Sequence, residues 1–172
     1  RLAKETGKAI VNLVKENIRP SDIMTENAFK NAIRTLMAVG GSTNAVIHLI
    51  AIARRLGIEL TLDQFDELSR TTPFIANMRP AGEYQMEDLY KAGGIPAVLN
   101  ELSPLLHLDE MTVTGKTVGE NIKDSTVNPV YRHIIKSLDD PLYKEGGISV
   151  LKGNLAPNGA IIKPKAVINK KF

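Results

Sequence analysis

The densest group of residues able to do chemistry is Gly40-Gly41-Ser42-Thr43-Asn44. Two glycines let the backbone come close to a bound group. Two hydroxyls and an amide follow where an apolar helix is expected to begin. Unpaired N–H groups at a helix start attract a carboxylate or a phosphate. These five residues are therefore the candidate substrate-binding set. The same five also describe an ordinary corner, in which glycines close one helix and a hydroxyl caps the next. Spacing alone leaves both readings open.

Other chemistries find little support. The chain has no cysteine. That removes disulfides, zinc–thiolate sites, thiol nucleophiles and an iron–sulfur cluster held by this chain's own thiolates. His48, His107 and His133 stand far apart and form no helical metal pattern. His48 reads as a histidine inside the core. Acids occur as Asp63/Asp66/Glu67, Glu87/Asp88, Asp109/Glu110 and Asp139/Asp140, mostly near helix starts or turns, where acids are expected in any case. No residue stands out as a general acid, a base or a metal ligand.

The elements that would hold the corner follow from periodicity. Ile10, Leu13, Val14 and Ile18 repeat at helical spacing, and Pro20 ends that helix. Thr25 caps a second helix with Phe29, Ile33, Leu36 and Met37 on one face. Ser42 or Thr43 caps a third. Its run from Ala45 to Ala53 is apolar nearly all round, which predicts a central helix buried on most sides and stopped at Gly57. Thr61 and Thr117 each open a capping box. Pro73–Ala76 and Met111–Thr114 read as short strands, Arg79–Gly82 as a turn, and Met86–Leu102 as a helix broken at Gly93-Gly94. From Ile148 the pattern turns to β. Pro157-Asn158-Gly159 predicts the hairpin turn, and Val167-Ile168 a third strand.

Composition allows a real core in 172 residues: 43% are hydrophobic and 24% charged. No apolar run is long enough for a membrane span, and no secretory signal opens the chain. A cytoplasmic setting fits. The net charge of +3 traces to Lys163, Lys165, Lys170 and Lys171, read here as solvated lysines guarding a strand edge. No arginine–aromatic interleaving supports nucleic-acid binding. The fold class is α/β: residues 1–143 form the helix-rich middle of an α/β domain. Residues 144–172 form a linker and the first strands of a β-rich, barrel-like domain.

Several runs, taken in order, resemble the dihydroxy-acid dehydratase family. They are Arg19-Pro20-Ser21-Asp22-Ile23-Met24-Thr25, Gly40-Gly41-Ser42-Thr43-Asn44-Ala45-Val46-Ile47-His48-Leu49, Thr71-Thr72-Pro73-Phe74-Ile75-Ala76, Met86-Glu87-Asp88-Leu89, Gly93-Gly94-Ile95-Pro96-Ala97-Val98-Leu99 and Leu151-Lys152-Gly153-Asn154-Leu155-Ala156-Pro157-Asn158-Gly159. Ala81 departs from the serine common there. Phosphogluconate dehydratases share the glycine corner but usually follow it with His-Thr, where this chain has Ala45-Val46. The resemblance therefore points to the branched-chain amino-acid enzyme, a hydro-lyase and homodimer acting on a small dihydroxy acid.

It also implies cofactors. A cysteine-held iron–sulfur cluster acts as Lewis acid on the 3-hydroxyl, Mg2+ held by carboxylates and a modified lysine orients the substrate, and a serine removes the C2 proton to give a 2-keto acid. By the family pattern those ligands and that serine lie before Arg1 or after Phe172, so this stretch supplies none of them. The competing readings are a sugar-acid or phosphogluconate dehydratase, a small anion-binding module, and a basic nucleic-acid-binding module. The chain alone is expected to be inactive and to hold no cluster. Anaerobic reconstitution followed by gel filtration checks this; cluster absorption that travels with the protein refutes it.

Overall fold

The structure, a computed structural model, describes residues 2–167. Ile168 of the predicted third strand, Lys170 and Lys171 lie outside the described residues. The element order is α1 (Leu2–Glu16), α2 (Pro20–Ile23), α3 (Glu26–Val39), α4 (Asn44–Arg55), α5 (Leu62–Arg70), α6 (Met86–Lys91), α7 (Gly94–Glu101), α8 (Val118–Ile122), β1 (Ser149–Gly153) and β2 (Ala156–Ile162). The helix-rich α/β class is as expected from the sequence. None of these helices is long and apolar enough to cross a membrane.

Local sequence explains the starts. Thr25 Oγ1 accepts from the Ala28 N–H at 3.1 Å, which satisfies one free donor at the start of α3. Thr61 with Gln64, and Thr117 with Glu120, form the two predicted capping boxes.

Packing centres on α3. On one side Ile33, Leu36 and Met37 join Val46, Phe65 and Ile148. On the other, Ala38 joins Ile75, Ala76, Leu89, Val98, Leu102, Ile134 and Ile135. The carboxyl end of α3 is crossed by two later segments. The Ala38 carbonyl accepts from the Ile75 and Ala76 N–H groups at 2.9 and 3.1 Å, and the Met37 carbonyl accepts from the Gly147 N–H at 2.8 Å.

The β tail docks on this helical body. The Gly146 N–H donates to the Ser69 carbonyl at 2.8 Å. Ile148 is buried, and Val150 and Ile161 pack against the same cluster. Lys152 pairs with Asp63 of α5. β1 and β2 are antiparallel, with Ser149 opposite Ile162 and Gly153 opposite Ala156.

Several expectations are corrected. Helix α4 is not central: Val46 and Ala53 are buried, but Ile47 is 66% and Ile52 43% exposed. One stripe faces α3, and no described element covers the other side. An apolar pattern states what a helix can bury, not what is present to bury it. His48 is consequently exposed rather than in the core. The hairpin turns at Asn154-Leu155, and Pro157-Asn158-Gly159 lies inside β2. Gly159 takes a positive φ of 104° there, and its bare Cα leaves room for Leu62 of α5. The predicted strands at Pro73–Ala76 and Met111–Thr114 reduce to isolated bridges, Phe74 with Tyr143, Ala76 with Ile135 and Met111 with Thr117. Val167 is not in a strand.

A Cβ on Gly147 would sit 2.5 Å from the Gly40 Cα, so two backbones touch where the tail meets α3. Gly147→Ala is expected to destabilise the fold by about 1–3 kcal/mol through overpacking. Gly153→Ala, with nothing within 4 Å of the new methyl, serves as control and should stay within about 0.5 kcal/mol of the parent. Urea midpoints measure both; equal midpoints would show that the contact tolerates a side chain.

Candidate functional site

The corner between α3 and α4 begins with Gly40. It caps α3 in the left-handed conformation, with φ 57° and ψ 45°. The Gly41 N–H reaches back to the Leu36 carbonyl at 3.0 Å, the closing bond of a glycine-terminated helix. A Cβ on Gly40 would meet the Phe74 ring at 2.8 Å, and one on Gly41 the Leu36 side chain at 2.6 Å. Gly40 is therefore fixed by packing as well as by conformation, and Gly41 by packing alone.

Ser42, not Thr43, takes the capping role. Its Oγ accepts from the Asn44 N–H at 3.2 Å, and its carbonyl from the Ala45 N–H at 3.0 Å. Thr43 is already helical, with φ −60° and ψ −27°, and its side chain makes no cap bond. The Ser42 and Thr43 N–H groups have no partner among the described residues. They are two of the free donors that every helix start must place somewhere.

Ser42 and Thr43 line a cavity of about 500 Å3. Gly40, Gly41, Ser42 and Thr43 form one wall; Met78, Met86, Leu89 and Ile95 form an apolar wall; Arg79, Pro80 and Lys163 complete the lining. Asn44 does not line it and stands exposed at the first turn of α4. Four of the five residues expected at the site thus share one cavity, and the fifth lies beside it.

The structure adds Arg79 and Lys163, which sequence reasoning did not select. Arg79 sits in the predicted turn, which contains a cis Arg79–Pro80 peptide. Its Nε donates to the Glu83 carbonyl at 3.0 Å. Lys163 follows β2 directly. Strand register explains its place: Ile162 pairs with Ser149, two residues after the Gly147 that touches Gly40. The lysine read as a strand-edge guard therefore arrives at the corner. Partial burial with no paired carboxylate holds its ammonium below the usual lysine range.

The histidines stay apart. His48 is exposed on α4, the His107 backbone bonds the Asn31 amide at 2.8 Å in each direction, and His133 packs edge-on to Tyr84. Among the described residues no three His, Cys, Asp or Glu gather as a metal site. With no thiolate in the chain and no carboxylate cluster among the described residues, the residues here do not fit an iron–sulfur cluster or a Mg2+ ion.

Comparison with known proteins gives the family. Residues 1–121 match the model of the dihydroxy-acid/6-phosphogluconate dehydratase N-terminal region, and residues 133–172 match that of the C-terminal region. Dihydroxy-acid dehydratases from Halothermothrix orenii and Caldicellulosiruptor saccharolyticus are each 53% identical over 169 residues, and that from Methanosarcina barkeri 52%. In each case the match covers 97% of this chain. The chain spans only 30–31% of the length of these relatives. With both regions matched in order and half the residues identical throughout, the chain belongs to the dihydroxy-acid/6-phosphogluconate dehydratase family.

Proposed function

We propose that this chain is part of a hydro-lyase that converts 2,3-dihydroxy acids to 2-keto acids in branched-chain amino-acid biosynthesis, and that its corner cavity faces the substrate. The observation that carries the reading is the cavity of about 500 Å3 lined by Ser42 and Thr43, whose N–H groups have no partner among the described residues. Fixed donors beside an apolar wall suit a ligand with a polar end and an alkyl end. The identity to dihydroxy-acid dehydratases supports the reaction class.

The apolar wall of Met78, Met86, Leu89 and Ile95 favours a branched aliphatic acid over a phosphosugar acid, whose hydroxyls would be left without partners against it. The iron–sulfur cluster and Mg2+ of the proposed enzyme would be held by residues other than those described. Their Lewis acidity would assist departure of the hydroxyl. The part assigned to this chain is to bind and orient the acid and to exclude water from its alkyl end. A cytoplasmic homodimer belongs to the same proposal. The exposed apolar residues Ile10, Val11 and Val14 of α1, with Ile47 and Ile52 of α4, offer surface for polypeptide contacts.

Thr43→Ala in the full-length protein tests the site. No cap bond is lost, so the melting temperature should hold. Losing one hydroxyl contact of about 0.5–1.5 kcal/mol should lower kcat/KM by about 2–10-fold. Asn44→Ala should leave kinetics unchanged. A lower melting temperature with intact kinetics for Thr43→Ala would make the corner purely structural.

A further inference from the structure

The corner cavity carries an unbalanced charge. Arg79 and Lys163 line it, and no aspartate or glutamate does among the described residues. Elsewhere several cations have a carboxylate partner, among them Lys152 with Asp63. Arg19 pairs with Asp22, Arg70 with Asp66, Lys91 with Glu87, Arg132 with Glu101 and Lys136 with Asp140. Lys165, two residues beyond Lys163, lies over the Tyr143 ring at 3.7 Å. Among the described residues Lys163 has neither a carboxylate nor a ring as partner.

A separate cleft, lined in part by Glu26, Lys30, Arg34, Glu59 and Glu67, shows the contrast. Its charges are mixed, and Arg34 is committed to the Thr72 hydroxyl at 2.7 Å and to the Thr71 carbonyl. In the corner cavity the two cations come from separate segments, one before α6 and one after β2. A partly buried ammonium without a partner is held at a cost in solvation that an anion would relieve.

We propose that Lys163 and Arg79 are the cationic anchors that hold the carboxylate of a small hydroxy acid in this cavity and so select an anionic substrate. The assignment rests on the proposed function for the identity of the acid, but it concerns only the charged end. Lys163 supplies a mobile point charge on a flexible stem. Arg79, tied to Glu83 by Nε, keeps its terminal amines for the ligand. The carboxylate would lie toward the Ser42 and Thr43 N–H groups and the alkyl group toward Met86, Leu89 and Ile95. No covalent step is involved.

The test is an amide-resolved NMR titration of the chain with 2,3-dihydroxy-3-methylbutanoate, its neutral carboxamide and inorganic phosphate. The acid should shift the Ser42, Thr43 and Lys163 signals saturably. The carboxamide should bind about tenfold more weakly, the size expected for losing one charge-assisted hydrogen bond. Lys163→Met should weaken the acid about tenfold, and Lys163→Arg, which keeps the charge, by less than about threefold. Lys163 is only partly buried and lies just beyond β2 among the described residues, so both variants should retain the parent spectrum elsewhere. Equal affinity of the parent for acid and carboxamide, or equal affinity of parent and Lys163→Met for the acid, overturns the anchor while leaving the Thr43→Ala kinetics to judge the substrate-facing corner. Phosphate binding more tightly than the acid also overturns it, in favour of a phosphate site. No shift at the corner with any of the three overturns it as well.

Discussion

The rest of the structure depends on how the last carbonyls of α3 are satisfied. A helix leaves its final carbonyl groups without partners, and burying them unpaired is costly. Here three consecutive carbonyls are used by three different segments. Leu36 accepts from Gly41, Met37 from Gly147, and Ala38 from Ile75 and Ala76. The bonds fix the start of the corner, the docking of the β tail and the crossing of the central loop at one point. They require close approach, which the chain meets with Gly40 and Gly147 back to back and Phe74 beneath them. A side chain at either glycine would push apart segments that the hydrogen bonds hold together.

That meeting point also explains why the cavity lies where it does. The corner, the turn at Arg79 and the end of β2 are far apart in sequence, and each is tied to α3 or to a segment bonded to α3. Rigid backbone sets the donors, while the cations reach in on longer stems. The apolar wall comes from Met78 and from the helices α6 and α7. Fixed amides and an apolar face need no rearrangement to meet a ligand, which lowers the ordering cost of binding.

Much of this was legible in the sequence, and the rest was missing for physical reasons. Caps, glycine stops and proline ends act over three or four residues, so α3, α5 and α8 begin at Thr25, Thr61 and Thr117 as read. The glycine corner was legible for the same reason. The Pro157-Asn158-Gly159 signal failed because tertiary contact overrides local turn preference: β2 continues through it, and Gly159 is used to pack on Leu62. Arg79 and Lys163 had no local signal. Their place in the cavity depends on strand register and on which carbonyls of α3 the later segments reach, and neither is written in spacing. Lys163 in particular looks like any lysine beside a strand until Ser149 is known to pair with Ile162.

The two family regions of the chain, 1–121 and 133–172, meet at this same contact. Ser42, Thr43 and Arg79 belong to the first, and Lys163 to the second. A ligand held by both sides binds only while the seam is closed. A bound ligand would therefore add to the stability of the seam by RT ln(1 + L/Kd), where L is the free ligand concentration. The coupling would run the other way as well: a change that loosens Gly147 from Gly40 would shift Lys163, which the strand register ties to that contact, relative to the corner. The hydrogen bonds of the α3 terminus and ligand binding in the proposed site would for that reason be thermodynamically linked. A substitution at the glycine contact would then weaken the ligand without touching a single group that lines the cavity with a charge.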